Sequence, residues 1–168
     1  MTTTASPGEK TELVSSLGAD TVVNYREEKF DDGHVGNDYD FGFDTTRESS
    51  KMPAVVKRGG SVVTIAGVPT ADAVRALGLN PNLIIRFIFW MMRDKAAIAN
   101  ASAAGVDWSY MFLNVNGADL EELAKYVDEG KIKPVLDNVW EFADWKSAVE
   151  KSFSGRAKGK CVVRISKK

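Results

Sequence analysis

MTTTASPGEKTELVSSLGADTVVN, residues 1–24, reads as a strand, a helix and a second strand in quick succession. Met1–Ala5 holds three consecutive threonines, residues that suit a pleated, half-buried chain. Ser6 and Glu9 then form a Ser-x-x-Glu pattern with Pro7 at the first helical position, a combination that opens helices. Leu13, Val14 and Leu17 recur on one helical face as an expected buried stripe, and Gly18 supplies a left-handed stop. Thr21–Asn24 follows as the next strand.

The same alternation continues outward from this unit. Tyr39–Asp44, Ser61–Ala66, Trp108–Leu113, Val135–Trp140 and Cys161–Ile165 are rich in branched or aromatic residues, and several are continuous apolar runs, as strands covered on both faces should be. Asp119 and Glu122 repeat the capping pattern ahead of Leu120, Leu123, Ala124 and Val127, with Gly130 and Pro134 closing the segment. A further helix over residues 142–153 is expected to bury Phe142, Trp145 and Val149 and to end at Gly155. Strands alternating with helices predict an α/β fold on a mostly parallel sheet. The stretch from Asn80 to about Gly105 stands apart, because Leu83–Met92 leaves no wide polar face. The pattern predicts a helix packed into the core, rather than one lying on a membrane or docking a partner. The main loop is expected over residues 27–37, rich in Asp and Gly.

Composition narrows the function classes. With 22 Lys plus Arg against 23 Asp plus Glu, no broad basic field exists to hold a nucleic-acid backbone. The single cysteine, Cys161, excludes an internal disulfide, and with one histidine, His34, no zinc set of Cys and His can be built. Cys161 is expected to be a small buried residue, and His34 a solvated surface histidine rather than a proton donor. Residues 1–6 lack the charged start and apolar centre of a secretory signal, and Leu83–Met92 is too short to span a bilayer. These features predict a soluble chain in a reducing compartment.

In a doubly wound parallel sheet, ligands lie across the carboxyl ends of the strands. The first strand here ends at Ser6 with no carboxylate before Glu9, and Lys10 lies one turn into the following helix. A hydroxyl, an ammonium and a helix N-terminus together suit a phosphate. Ser6 as a plain N-cap and Lys10 as a solvated lysine are the competing reading. Tyr25 either stacks on a flat ring or closes the edge of the core.

Thr4-Ala5-Ser6-Pro7-Gly8-Glu9-Lys10, Leu17-Gly18-Ala19-Asp20 and Val23-Asn24-Tyr25-Arg26-Glu27-Glu28 resemble the middle of a medium-chain dehydrogenase/reductase of the zinc-free quinone oxidoreductase branch. Phe43-Asp44-Thr45, Lys57-Arg58-Gly59-Gly60-Ser61-Val62-Val63, Gly130-Lys131-Ile132-Lys133-Pro134-Val135 and residues 155–163 continue the likeness in order. The resemblance implies a Rossmann-like doubly wound α/β domain over residues 1–133, plus a C-terminal remnant of the substrate domain over residues 134–168. It implies NADPH as cofactor. Ser6, Lys10 and Tyr25 match the residues that hold its 2′-phosphate and adenine, with Lys10 the discriminator against NADH. Thr45, Ala66, Gly67 and Val68 match contacts to the nicotinamide half, Phe112 and Leu113 match the strand end beside the nicotinamide, and Lys160 matches a late basic residue near the cofactor. A lysine before a terminal strand is also often a plain edge charge.

The chain departs from that family in two respects. Thr46 and Arg47 stand where the family shows a small residue and glycine. The first strand, the glycine-rich turn and the helix that seats the pyrophosphate are missing, so two central strands should have open edges unless they close on each other or a partner fills the gap. Two functions follow from the resemblance. One is an enzyme that delivers hydride from NADPH to a quinone or activated alkene by orientation, with no side chain marked as general acid. The other is a non-catalytic nucleotide-binding or dimerisation module. The expected partners are a small-molecule substrate and a second copy joined along the Trp108–Leu113 edge, with no nucleic acid and no membrane span; the expected compartment is the cytoplasm, or else the mitochondrion.

Overall fold

A computed structural model describes residues 1–32, 38–76, 78 and 80–166. His34 and the end of the expected 27–37 loop lie outside the described residues. The chain divides into two compact units, Met1–Asn114 and Val115–Lys168.

The first unit begins with β1 (Thr2–Ala5), α1 (Glu9–Ser16) and β2 (Thr21–Asn24), the unit expected from the opening sequence. β1 and β2 run parallel, from Thr2 opposite Thr21 to Ala5 opposite Asn24. The helix starts later than Ser6-Pro7 suggested. Gly8 is the N-cap, with φ 87° and no side-chain cap bond, because the chain reverses there through a conformation that glycine alone adopts freely. Of the expected stripe, Leu13 and Val14 are half-buried and Leu17 is exposed.

β3 (Tyr39–Asp44), β4 (Val56–Thr64) and β5 (Asp107–Tyr110) form a second parallel sheet in that order. β4 is longer than expected at its start and shorter at its end. Its pairing jumps from Tyr39 opposite Val56 to Phe41 opposite Ser61, so Lys57–Gly60, read from sequence as a turn into the strand, is a bulge within it, with Gly59 at φ 81°. β5 stops at Tyr110 instead of Leu113 because its partner β4 has ended at Thr64. The core forms where this sheet meets a helix: Val56 and Val62 pack with Ala101 and Val106, and Tyr39, Met52, Ala104 and Trp108 close around them.

Between β4 and β5 lie α2 (Ala71–Ala76), α3 (Leu83–Met92) and α4 (Lys95–Ala104). Asn82 caps α3 and Asp94 caps α4. The expectation that α3 packs into the core is overturned: none of its residues is buried, and Leu83 is 78 % exposed. The helix satisfies its aromatics locally instead. Phe87 stacks on Trp90 at 5.7 Å, and Arg93 and Lys95 sit over the Trp90 ring at 5.5 and 5.0 Å.

β1 and β3 do not pair with each other. Their starts are tied by the hydroxyls of Thr2 and Tyr39 at 2.6 Å. Among the described residues β1 and β3 each pair on one side only, so they do not close on each other in a rearranged sheet.

The second unit holds α5 (Gly117–Asp128), β6 (Leu136–Glu141), α6 (Trp145–Phe153) and β7 (Lys160–Arg164). Asn116, not Asp119, caps α5 by accepting the N–H of Ala118 at 3.1 Å. β6 and β7 run parallel, and α6 buries Ala148. Leu120, Leu123, Phe142, Trp145 and Val149, expected in a core, are exposed, and Cys161 is half-buried rather than buried.

Candidate functional site

The carboxyl ends of the first unit's strands form two rims. At the first, Ala5 pairs with Asn24, so Ser6 and Tyr25 follow directly at the same edge of the β1–β2 sheet. Because Gly8 caps α1, the Ser6 hydroxyl is not spent as an N-cap; only its carbonyl is engaged, accepting the Thr11 hydroxyl at 3.2 Å. Lys10 is half-buried in the first turn of α1, and Tyr25 is exposed. Glu9 and Glu12 share that turn, so any anion held there depends on Lys10 to outweigh two carboxylates.

The second rim is more ordered, because Asp44, Thr64 and Tyr110 close the three strands in register. Asp44 is 1 % exposed and accepts four good hydrogen bonds. Oδ1 takes the N–H of Thr46 at 2.9 Å and of Glu48 at 3.0 Å. Oδ2 takes the Thr64 hydroxyl at 2.7 Å and the N–H of Ser49 at 3.2 Å. Burial pushes the Asp44 carboxyl up, but the N–H of Thr46, the Thr64 hydroxyl and the N–H groups of Glu48 and Ser49 more than offset it, leaving its pKa below the ordinary aspartate range.

Thr64 carries that order into the next turn. Its hydroxyl, donating to Asp44, accepts the N–H of Ala66 at 3.1 Å. The N–H of Ile65 reaches the Asp44 carbonyl at 3.0 Å, and that of Met111 reaches the Thr64 carbonyl at 2.9 Å. Gly67 follows at φ 121°, with nothing within 4 Å of where a Cβ would stand, so its backbone is open to a flat ring. Ala66, Gly67 and Val68 line a pocket of about 220 Å³ together with Arg47, Ser49, Met92, Asp94, Trp108 and Tyr110.

The remaining expected residues lie around this rim or away from it. Thr45 follows Asp44 at the strand end and is exposed. Phe112 and Leu113 are exposed beyond β5, with Phe112 tilted against Tyr110 at 6.4 Å, and neither lines the pocket. Lys160 lies in the second unit as the first residue of β7, exposed, its N–H on the Val135 carbonyl at 2.7 Å. Sequence reasoning missed Thr64 and Tyr110 and marked Arg47 only as a departure from the family. Thr64 had a readable signal: alternation from Val62 puts its side chain on the buried face, where a hydroxyl requires a partner.

Among the described residues no three His, Cys, Asp or Glu side chains gather as a metal set, and no helix is long and apolar enough to cross a membrane.

Residues 17–163 match the family described as zinc-binding dehydrogenase. The chain is 31 % identical to the 2-methylene-furan-3-one reductase of Solanum lycopersicum, over 95 % of this chain and 32 % of that protein. It is 30 % identical to the chloroplastic NADPH-dependent alkenal/one oxidoreductase of Arabidopsis thaliana, over 92 % of this chain and 31 % of that protein. The structure of the quinone oxidoreductase from Coxiella burnetii superposes with a TM-score of 0.67 at 22 % identity, over 98 % of this chain and 44 % of that one, a likeness of fold. The chain spans about a third of the length of those two curated relatives.

Proposed function

Since this chain belongs to the zinc-binding dehydrogenase family and resembles its enone and quinone reductases, we propose that it forms part of an NADPH-dependent oxidoreductase acting on a quinone or activated alkene. One observation carries this reading. The two strand rims end in the residues expected at the two ends of a dinucleotide: Ser6 and Tyr25 after Ala5 and Asn24, and Ala66–Val68 after Thr64. On this reading residues 1–133 belong to the cofactor domain and residues 134–168 to the remnant of the substrate domain. NADPH supplies the hydride when bound. Ser6 donates to the 2′-phosphate, Lys10 neutralises it, and Tyr25 stacks on the adenine. Thr45, Ala66, Gly67 and Val68 orient the nicotinamide, Phe112 and Leu113 shield it from water, and Lys160 adds charge late in the chain.

Phe87, Phe89 and Trp90, which line a wide groove of about 990 Å³ sharing Trp108 and Tyr110 with the smaller pocket, support a flat apolar substrate. The proposed chemistry rests on orientation of cofactor and substrate. β5 is the edge of its sheet among the described residues, which supports a homodimer joined strand to strand. The cytoplasm is the proposed compartment.

A second reading is supported by the edges of β1 and β3, each of which pairs on one side only among the described residues: a nucleotide-binding or dimerisation module without turnover. NADPH fluorescence titration followed by its oxidation with a simple quinone separates the two. Turnover supports the enzyme, binding alone supports a nucleotide-binding module, and absence of binding rejects both of these. Sedimentation at high micromolar concentration tests the dimer, and a monomer there rejects it.

A further inference from the structure

We infer that Arg47 makes the 220 Å³ pocket an anion-selecting site, taking a phosphate or carboxylate oxygen group of the ligand. Arg47 is the single non-glycine with positive φ among the described residues, at 69°. Arginine lacks the short polar side chain that eases Asn and Asp into this conformation, so the position favours glycine.

Asp44 explains how the strained conformation is held. Its Oδ1 accepts both Thr46 N–H and Glu48 N–H, pinning the residues on either side of Arg47 to one atom. Its Oδ2 holds Ser49 N–H, fixing the exit of the turn. The loop is thus over-determined by a buried carboxylate, the setting in which backbone strain persists. Glycine would relieve that strain, yet the sequence carries a cation on a pocket wall.

The charges around it favour an external partner. Asp44 is already satisfied by four donors. The carboxylate lining the pocket, Asp94, spends Oδ1 on the N–H of Ala97 at the head of α4, and no ion pair joins Arg47 to an acidic side chain among the described residues. Tyr110 adds a hydroxyl that donates to the Ile65 carbonyl at 3.5 Å, at the limit of a hydrogen bond. An arginine and a tyrosine with a long hydroxyl bond lining one pocket suit an acceptor-rich anion.

The anion's carrier rests on the functional reading above: it is either the dinucleotide's pyrophosphate or a carboxylate on the substrate. The experiment separates them by titrating the 168-residue chain with inorganic pyrophosphate and with trans-4-oxo-2-pentenoate, following the Arg47 side-chain N–H resonance, alongside an NADPH fluorescence titration. Wild type, Arg47→Gly, Arg47→Lys and Asp94→Asn are compared. Arg47→Gly should weaken at least one anion by about tenfold or more, while its thermal midpoint stays at or above wild type. Arg47→Lys should stay within about threefold of wild type, retaining the charge but losing the fork. Asp94→Asn should tighten the same anion, since it removes the opposing charge. A response to pyrophosphate alone assigns the cofactor, and a response to the oxopentenoate alone assigns the substrate. Equal affinity of wild type and Arg47→Gly for both anions, or an Arg47 resonance that neither anion moves, overturns the inference. NADPH binding in that case leaves the functional reading standing; an anion-responsive Arg47 without NADPH binding does the reverse.

Discussion

Replacing Asp44 with asparagine tests the logic of the second rim with almost no change of shape. The carboxylate serves two donors at each oxygen: Thr46 and Glu48 N–H at Oδ1, Ser49 N–H and the Thr64 hydroxyl at Oδ2. An amide must turn its NH2 to one side. Facing it toward Thr46 and Glu48 would oppose two fixed backbone N–H groups. Facing it toward Ser49 and Thr64 opposes only one, because the Thr64 hydroxyl can rotate to accept from the amide and donate instead to the Ala66 carbonyl 3.0 Å away. The expected loss is therefore one stranded N–H and the charge assistance of the rest, about 2 kcal/mol. Urea unfolding of wild type and Asp44→Asn at pH 7 measures it.

Acid supplies a second arm. The folded pKa of Asp44 is depressed, so its contribution is complete above the unfolded value of about 3.9 and is lost as pH falls through the folded one. Asparagine has no such limb, and the two stabilities should converge in that acid range. A difference below about 0.5 kcal/mol at pH 7, or a gap that stays constant into acid, would refute the account of the cradle.

Three further outcomes are expected. Lys10→Glu should raise the NADPH dissociation constant at least about tenfold more than that of NADH, since the new charge repels only the extra phosphate; equal losses in fluorescence titration reject the role of Lys10. Val62→Ala, at a fully buried position in the first unit's core, should lower stability by about 2 kcal/mol in urea. Ile84→Lys and Phe87→Lys, on the exposed face of α3, should each change the thermal transition by no more than the equivalent of about 0.5 kcal/mol and should raise solubility; a large loss of stability would return that helix to a core.

Strands were the most legible elements. Thr21–Asn24 and Tyr39–Asp44 were read to the residue, because short branched or aromatic runs between turn residues leave little choice of conformation. Helix starts were less legible, since Ser6 and Asp119 satisfied a capping pattern that Gly8 and Asn116 fulfil in the fold; several nearby residues can cap, and the path of the chain selects among them. The apolar composition of α3 signalled a need for cover but could not say what, among these residues, would provide it. At the site, Ala66–Val68 stood out by resemblance as ligand contacts, whereas Arg47 stood out only as a residue in a glycine position, because its conformation is imposed by a carboxylate bonded across a turn. Sequence spacing carries no trace of that clamp.

The split of the parallel strands into separate ladders also shapes how the protein breathes. β4 is the only described strand hydrogen-bonded on both sides, so freeing all its amides requires both neighbours to leave. Among the described strands β1 and β2 are hydrogen-bonded only to each other, and the hydroxyls of Thr2 and Tyr39 tie β1 to β3. Deuterium should therefore enter the Ser6 rim long before it reaches Val62 and Val63, giving the two ends of the proposed dinucleotide site separate local stabilities.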